Sequence, residues 1–328
     1  MSQDPSPVLP RSLSIEVARV TEAAAVAAPK LRCRGIEKDA DRAAVDAMRR
    51  ELNKLPIRGR VVIGEGERDE APMLYIGEEL GRGDGPAVDI AVDPLEGTTL
   101  CSKAQPGSLA VVTIAQGGTL LHSADIYMEK IAIGGGFEPA LVDLDFSPCE
   151  NLERLARATG VQISDLTVCI LDRARHAKLI DEVRLAGAGI RLIGDGDIAG
   201  IIEVVESKDT GVDMYMGIGG APEGVLAASA LRCIGGQMQG RLTALSEDER
   251  QRAAAVGITD LSRKYSIEEM AGGDVIFAAT GVTDGSLLDG VKFSRGRVDT
   301  HTVIMRSATK TVRWLRTQSR AAPRTADG

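Results

Sequence analysis

Asp93-Pro94-Leu95-Glu96-Gly97-Thr98-Thr99 follows the largely apolar run Val88–Val92, and the reading of this stretch decides the architecture. A short apolar run closed by turn residues reads as a buried strand, and Pro94 is expected to stop its ladder and fix a turn. Carboxylates placed where a strand leaves a sheet lie at the edge where layered folds bind ligands. Asp93 and Glu96, three residues apart across that turn, are close enough to share one hard cation. Gly97 lets backbone approach a bound group, and Thr98 supplies a hydroxyl at a helix start.

A second motif of the same kind stands upstream. The strand Arg60–Ile63 breaks at Gly64-Glu65-Gly66-Glu67. Alone, this run reads as a solvated acidic loop as readily as a ligand set. Together, two acidic motifs punctuated by Gly or Pro at strand ends favour a site for Mg²⁺ or Mn²⁺. Such ions take a few carboxylate oxygens and complete their shells with water and phosphate. The charge distribution agrees. The chain has 328 residues and a formal charge of −8. Residues 64–97 hold ten acids and two bases, an excess of acids equal to that of the whole chain. Residues 292–328 are basic. An acidic chain with one basic end is a poor nucleic-acid binder.

Composition is globular, with 44% hydrophobic residues and 26% charged. No apolar run is long enough to span a membrane, and the N-terminus lacks the apolar region of a signal peptide. Five scattered cysteines form no metal-spaced motif and suggest a reduced, cytoplasmic setting. Nine aromatics leave the core to Val, Ile, Leu and Ala.

The periodicity predicts helices at Ser14–Ala28 and Asp41–Leu55, a short helix at Pro72–Leu80, and strands at Ser108–Ala115 and Tyr127–Ile133. This half is α+β. From about residue 147 helices and strands alternate: helix Asn151–Thr159, strand Leu166–Leu171, helix Arg175–Ala186, strand Ile190–Ile193, helix Ile198–Val205, strand Val212–Ile218, helix Pro222–Ile234 and strand Gln237–Leu242. That rhythm predicts an α/β half with a mostly parallel sheet. The expected organisation is an N-terminal metal-binding domain, 1–160, and a C-terminal substrate domain, 161–328. Strands at Asp274–Ala279 and Thr300–Arg306 are free to return to either. Residues 1–12 and about 319–328 read as disordered ends.

Three turns after predicted strands carry further chemistry. Asp172-Arg173-Ala174-Arg175-His176 offers two guanidiniums suited to clamping phosphate, with His176 able to support them. Asp195-Gly196-Asp197 can accept hydrogen bonds from sugar hydroxyls. Gly219-Gly220-Ala221-Pro222-Glu223-Gly224 sets a carboxylate at a helix start. Each also has a plain reading as capping acid, turn glycine or surface arginine; their common edge favours one composite site. Asp41 reads, on pattern alone, as an acid complementing a helix dipole.

Asp93–Thr99 resembles the DP(I/L)(D/E)GT signature of metal-dependent, lithium-sensitive sugar and inositol phosphatases. With Gly64–Glu79, Val20-Thr21-Glu22, Tyr127–Lys130, Asp195–Asp197, Gly217–Gly224 and Ala279–Gly285, the sequence is similar to class II fructose-1,6-bisphosphatases of the GlpX type, from about Ile15 to Arg316. The resemblance implies a two-domain layered sugar-phosphatase fold of alternating helices and sheets, needing two or three Mg²⁺ or Mn²⁺ ions. Asp41, Glu65, Asp93, Glu96 and Glu223 would be metal ligands. Substrate would meet Glu96, Gly97, Thr98, Tyr127, Arg173, Ala174, Arg175, Asp195, Gly196, Asp197 and Gly220. Thr98, with Glu67 or Asp41, would orient the attacking water. Arg34-Gly35-Ile36-Glu37-Lys38-Asp39-Ala40-Asp41 departs from the family's RGDKNTAD, and Arg173-Ala174-Arg175 from its Lys-Pro-Arg. The implied reaction is loss of the 1-phosphate of fructose 1,6-bisphosphate by a homodimer or homotetramer. A sedoheptulose bisphosphate or inositol phosphate substrate, or a non-catalytic sugar-phosphate sensor, are the rival readings.

Overall fold

The computed structural model describes residues 9–28, 37–64, 74–123, 125–294 and 296–320. Helices α1 (Leu13–Ala27) and α2 (Glu37–Leu52) form the first layer. They cover a sheet built from β1 (Arg58–Ile63), β2 (Glu79–Leu80), β3 (Ala87–Glu96), β4 (Leu109–Gln116), β11 (Val275–Gly281), β12 (Lys292–Ser294), β13 (Arg297–Arg306) and β14 (Thr311–Arg320). Its order is β12-β13-β11-β4-β3-β1-β2, with β14 on β13. The second sheet runs β10 (Lys264–Ser266), β9 (Gln237–Thr243), β5 (Tyr127–Ile133), β8 (Met214–Gly220), β6 (Thr167–Leu171), β7 (Gly189–Ile193). Between β3 and β4 lies α3 (Thr98–Ser102). α4 (Pro148–Thr159) and α5 (Ala177–Ala186) cover the outer face of the second sheet; α6 (Asp197–Ile202) and α8 (Ala221–Ile234) fill the space between the sheets. Shorter pieces, α7 (Ser207–Thr210), α9 (Glu247–Ala255) and α10 (Ile267–Met270), complete the chain. The layers therefore alternate helix, sheet, helix, sheet, helix.

Period-two patterning explains why the first sheet is buried on both faces. On β3 and β4, Ile90, Val92, Val112 and Ile114 pack toward α1 and α2. Ala91, Val111 and Ala115 point the other way, into the central layer around α8. Each fully buried Val or Ile contributes roughly 1.5–3 kcal/mol by leaving water, so a chain with nine aromatics builds its core from branched aliphatics and alanine.

Several expectations are corrected. Pro94 does not end its strand: β3 continues to Glu96, with its register against β4 shifting between Asp93 and Glu96. A bulge there tolerates a residue that has no N–H to donate. The described part of 72–80 is turn followed by β2, not helix. α2 begins at Glu37 and ends at Leu52, so Asp41 sits one turn inside it rather than opening it. The second sheet is mixed: β6 pairs in parallel with β7 and β8, while β5, β8, β9 and β10 pair antiparallel. Sheet membership departs from chain order, because β5 enters the second sheet while the late strands β11 to β14 return to the first. Residues 9–12, expected within a disordered end, are anchored. Leu9 is buried, its N–H donates to Asp274 (3.1 Å), and Arg306 donates to its carbonyl. Ser319 and Arg320 are likewise ordered by pairing in β14.

Candidate active site

The C-terminal ends of β3, β6, β7 and β8 and the start of β5 meet at the cleft between the sheets. At the end of β3 the chain turns through Gly97, whose φ of 72° and ψ of 51° are left-handed and favour glycine. The Asp93 carboxylate accepts from the Leu95 N–H (3.1 Å), and Ser108 Oγ donates to the Glu96 carbonyl (2.8 Å). These bonds set both acids at the bulge. Glu223 arrives from the first turn of α8, after Gly220 at the helix N-cap and Pro222. A Cβ on Gly220 would lie 1.8 Å from Glu223 Oε2, so only glycine leaves room for this carboxylate to fold back.

Asp93, Glu96 and Glu223 each offer an oxygen, and these oxygens all lie within 4.8 Å of one another. Burial is the main cause that pushes Asp93 up to about 6, with the Asp41 and Asp195 charges adding to it. Burial likewise raises Glu223 to about 7, reinforced by Asp197 and Asp93 and opposed by Lys130. Glu96 is raised well above its ordinary value by burial, then by Asp93 and Glu223. Glu96 Oε1 and Glu223 Oε2 are buried without a hydrogen-bond partner. Crowded, desolvated carboxylates with orphaned oxygens suit a hard divalent cation, which supplies the missing positive charge and accepts oxygen ligands. The residues present therefore fit such an ion. Thr98 begins α3 immediately beside this cluster, and α2, which carries Asp41, packs against α3. Glu65 and Glu67 lie outside the described residues.

On the other bank, Arg175 donates to the Ile218 carbonyl (2.9 and 2.7 Å) and stands over the Tyr127 ring, 4.9 Å from its centre. Arg173 donates to the carbonyls of Gly194 and Asp172 and lies 3.5 Å from Asp195. Ala174 opens a one-turn helix, Ala174–His176, that follows Arg173 and carries Arg175. His176 is buried beneath them: Nδ1 donates to the Leu171 carbonyl (2.7 Å) and Nε2 accepts from the Ile218 N–H (2.8 Å). That pairing fixes a neutral tautomer, and burial lowers its pKa. Asp195 is half-buried and raised, first by burial. Gly196 is left-handed (φ 80°) ahead of α6, whose first residue is the buried Asp197.

A model of the family described as bacterial fructose-1,6-bisphosphatase, glpX-encoded, matches residues 11–319. The chain belongs to the GlpX-type class II fructose-1,6-bisphosphatase family. It is similar to the D-fructose 1,6-bisphosphatase class 2/sedoheptulose 1,7-bisphosphatase of Synechococcus sp. (strain JA-3-3Ab), with 46% identity over 330 residues covering 93% of this chain and 94% of the relative. The protein of the same description from Prochlorococcus marinus (strain NATL1A) is 43% identical over 321 residues, covering 94% and 96%.

In this member of the class II family the cleft gathers Asp93, Glu96 and Glu223 into one cluster, with Asp41, Asp195 and Asp197 near enough to act on it electrostatically. Arg173 and Arg175 stand together with Tyr127 and Asp195. One residue of the cleft escaped the sequence reading. Lys130 lies on β5 between Met128 and Ala132, on the face turned to the central core. A lysine at an alternate position of an otherwise apolar strand face was the available signal.

Proposed function

We propose that this chain hydrolyses the 1-phosphate of fructose 1,6-bisphosphate in the inter-sheet cleft. The observation that carries the reading is the convergence of Asp93, Glu96 and Glu223, one oxygen of each lying within 4.8 Å of the others. Asp93, Glu96 and Glu223, joined by Asp41 and Glu65, would hold two or three Mg²⁺ or Mn²⁺ ions. Those ions supply Lewis-acid neutralisation of the phosphoryl oxygens and acidify water. Thr98, with Asp41 or Glu67, orients the attacking water in line. The water oxygen bonds to phosphorus and gives up a proton, the bond to the C1 oxygen breaks, and that oxygen takes up a proton in exchange. Arg173 and Arg175 hold the 6-phosphate, so binding at the far end positions the reacting one. Tyr127 backs Arg175, and Asp195 and Asp197 accept from sugar hydroxyls beside Gly220 and Gly196.

Sedoheptulose 1,7-bisphosphate is the second substrate to test, because both relatives carry that activity in their descriptions. Phosphate release from the two sugars, measured side by side with Mn²⁺, Mg²⁺ or EDTA, tests the reading. Release from fructose 1,6-bisphosphate that needs the metal is expected; no release, or release unaffected by EDTA, refutes it. The proposed setting is cytoplasmic, on the scattered, motif-free cysteines of the sequence; among the described residues no helix is long and apolar enough to cross a membrane. The proposed assembly is a dimer or tetramer, read by light scattering.

A further inference from the structure

Lys130 is fully buried, its side chain wholly withdrawn from solvent in the central layer. Its ammonium lies 2.5 Å from Asp197 Oδ2 and donates to the Gly220 carbonyl (2.8 Å). The Tyr215 hydroxyl donates to the same Asp197 oxygen (3.3 Å). A Cβ on Gly219 would come within 2.0 Å of Asp197 Oδ2 and 2.9 Å of Lys130 Nζ. The side-chain-free stretch Gly219-Gly220 is thus a floor on which this ion pair and Glu223 lie side by side.

A buried lysine and carboxylate are costly to desolvate and strongly damaging when one partner is removed. Such a pair inside a cluster of acids has an electrostatic consequence. The Asp197 charge acts on both Glu223 and Glu96. Without a counter-charge, it would be one more anionic oxygen facing the cation. We propose that Lys130 is a positioning residue that sorts the carboxylates of the cleft. By pairing with Asp197 it keeps that acid out of the cation's ligand set and aims its remaining acceptor capacity at a sugar hydroxyl. The sugar half of this inference rests on the function proposed above; the cation half does not.

The test is a double-mutant cycle with K130M, D197N and K130M/D197N, read by Mn²⁺ calorimetry and by the KM for fructose 1,6-bisphosphate. K130M is expected to tighten Mn²⁺ binding at least threefold, because an uncompensated acid joins the cluster. D197N is expected to weaken it at least threefold, because an unpaired ammonium now faces Glu223. The double variant returns within twofold of the parent. Mere structural damage would weaken binding in all three. In the catalytic arm, K130M raises KM at least tenfold in the parent and less than twofold in the D197N background, with kcat moving less than KM. Equal weakening of Mn²⁺ binding in K130M and the double variant overturns the sorting, as does a KM effect that persists without Asp197. Should K130M not fold, D197N alone decides: unchanged Mn²⁺ affinity overturns the proposal. A parent protein that binds Mn²⁺ but releases no phosphate would refute the proposed reaction and leave the calorimetric arm to judge Lys130.

Discussion

Glu223→Gln should make the metal-free protein more stable, by an amount that grows as pH rises from about 4.5 and is complete above about 7. In the unfolded chain a glutamate ionises near 4.5, whereas in the cleft burial and the Asp197 charge hold Glu223 near 7. Between those values the native chain binds the proton more tightly than the unfolded one. Stability therefore falls as pH rises from about 4.5 and reaches its floor above about 7. At about 1.4 kcal/mol per pH interval, ionising Glu223 in the fold costs about 3 kcal/mol. A chain of 328 residues unfolds with an entropy of roughly 0.7 kcal/mol/K, so this corresponds to roughly 4–5 °C in Tm. Glutamine has the same shape and no charge. Differential scanning fluorimetry in EDTA should show E223Q and its parent melting close together at pH 5, with the variant about 4–5 °C higher at pH 8. Saturating Mn²⁺ should reverse the order at pH 8, since the ion stabilises the state that holds it. A difference between variant and parent that stays constant from pH 5 to pH 8 would refute the argument, because it would mean that Glu223 does not titrate in this range.

Asp93→Ala should lower phosphate release at least a hundredfold and weaken Mn²⁺ binding in calorimetry; near-normal turnover removes Asp93 from the site. Arg175→Met should raise KM for the bisphosphate about tenfold or more with kcat largely kept, and a loss confined to kcat would speak against a remote phosphate clamp. Gly220→Ala places a Cβ 1.8 Å from Glu223 Oε2. It should weaken Mn²⁺ binding as Glu223→Ala does, while Gly118→Ala, at a left-handed position with open space around it (φ 79°), should cost only backbone strain of about 1–2 kcal/mol in a melt.

The sequence was most legible where periodicity and punctuation act locally. β5 spans the predicted Tyr127–Ile133, because alternation needs no knowledge of the partner strand. Asp93 and Glu96 were recognisable as a pair because three residues of separation at a strand end put them close in any fold. What stayed hidden is set by distant contacts. Pro94 stays within β3 because β4 accepts a bulge there, a property of the neighbour rather than of the proline. β5 lies between β8 and β9, which only the assembled sheet decides. Gly219 and Gly220 read as turn glycines, with Gly220 also implied to meet substrate; that Asp197, Lys130 and Glu223 pack against them appears only in the assembled fold. Leu9, read as tail, is held by Asp274 and Arg306, residues near the opposite end of the chain.

The interleaving of the two sheets also governs when the cleft can exist. Two of the clustered acids sit on β3, whose sheet is bordered through β4 by β11 and completed by β13 and β14, while the third waits on α8. A nascent chain emerging from the ribosome has Asp93 and Glu96 outside long before β11 is available to flank β4. Pairing across such sequence distance is slow and comes late. A partly synthesised chain thus carries isolated, solvated acids with ordinary affinity for protons and little for a cation. Loss of the C-terminal strands would leave the cleft without its supporting wall even though every acid in it remained encoded.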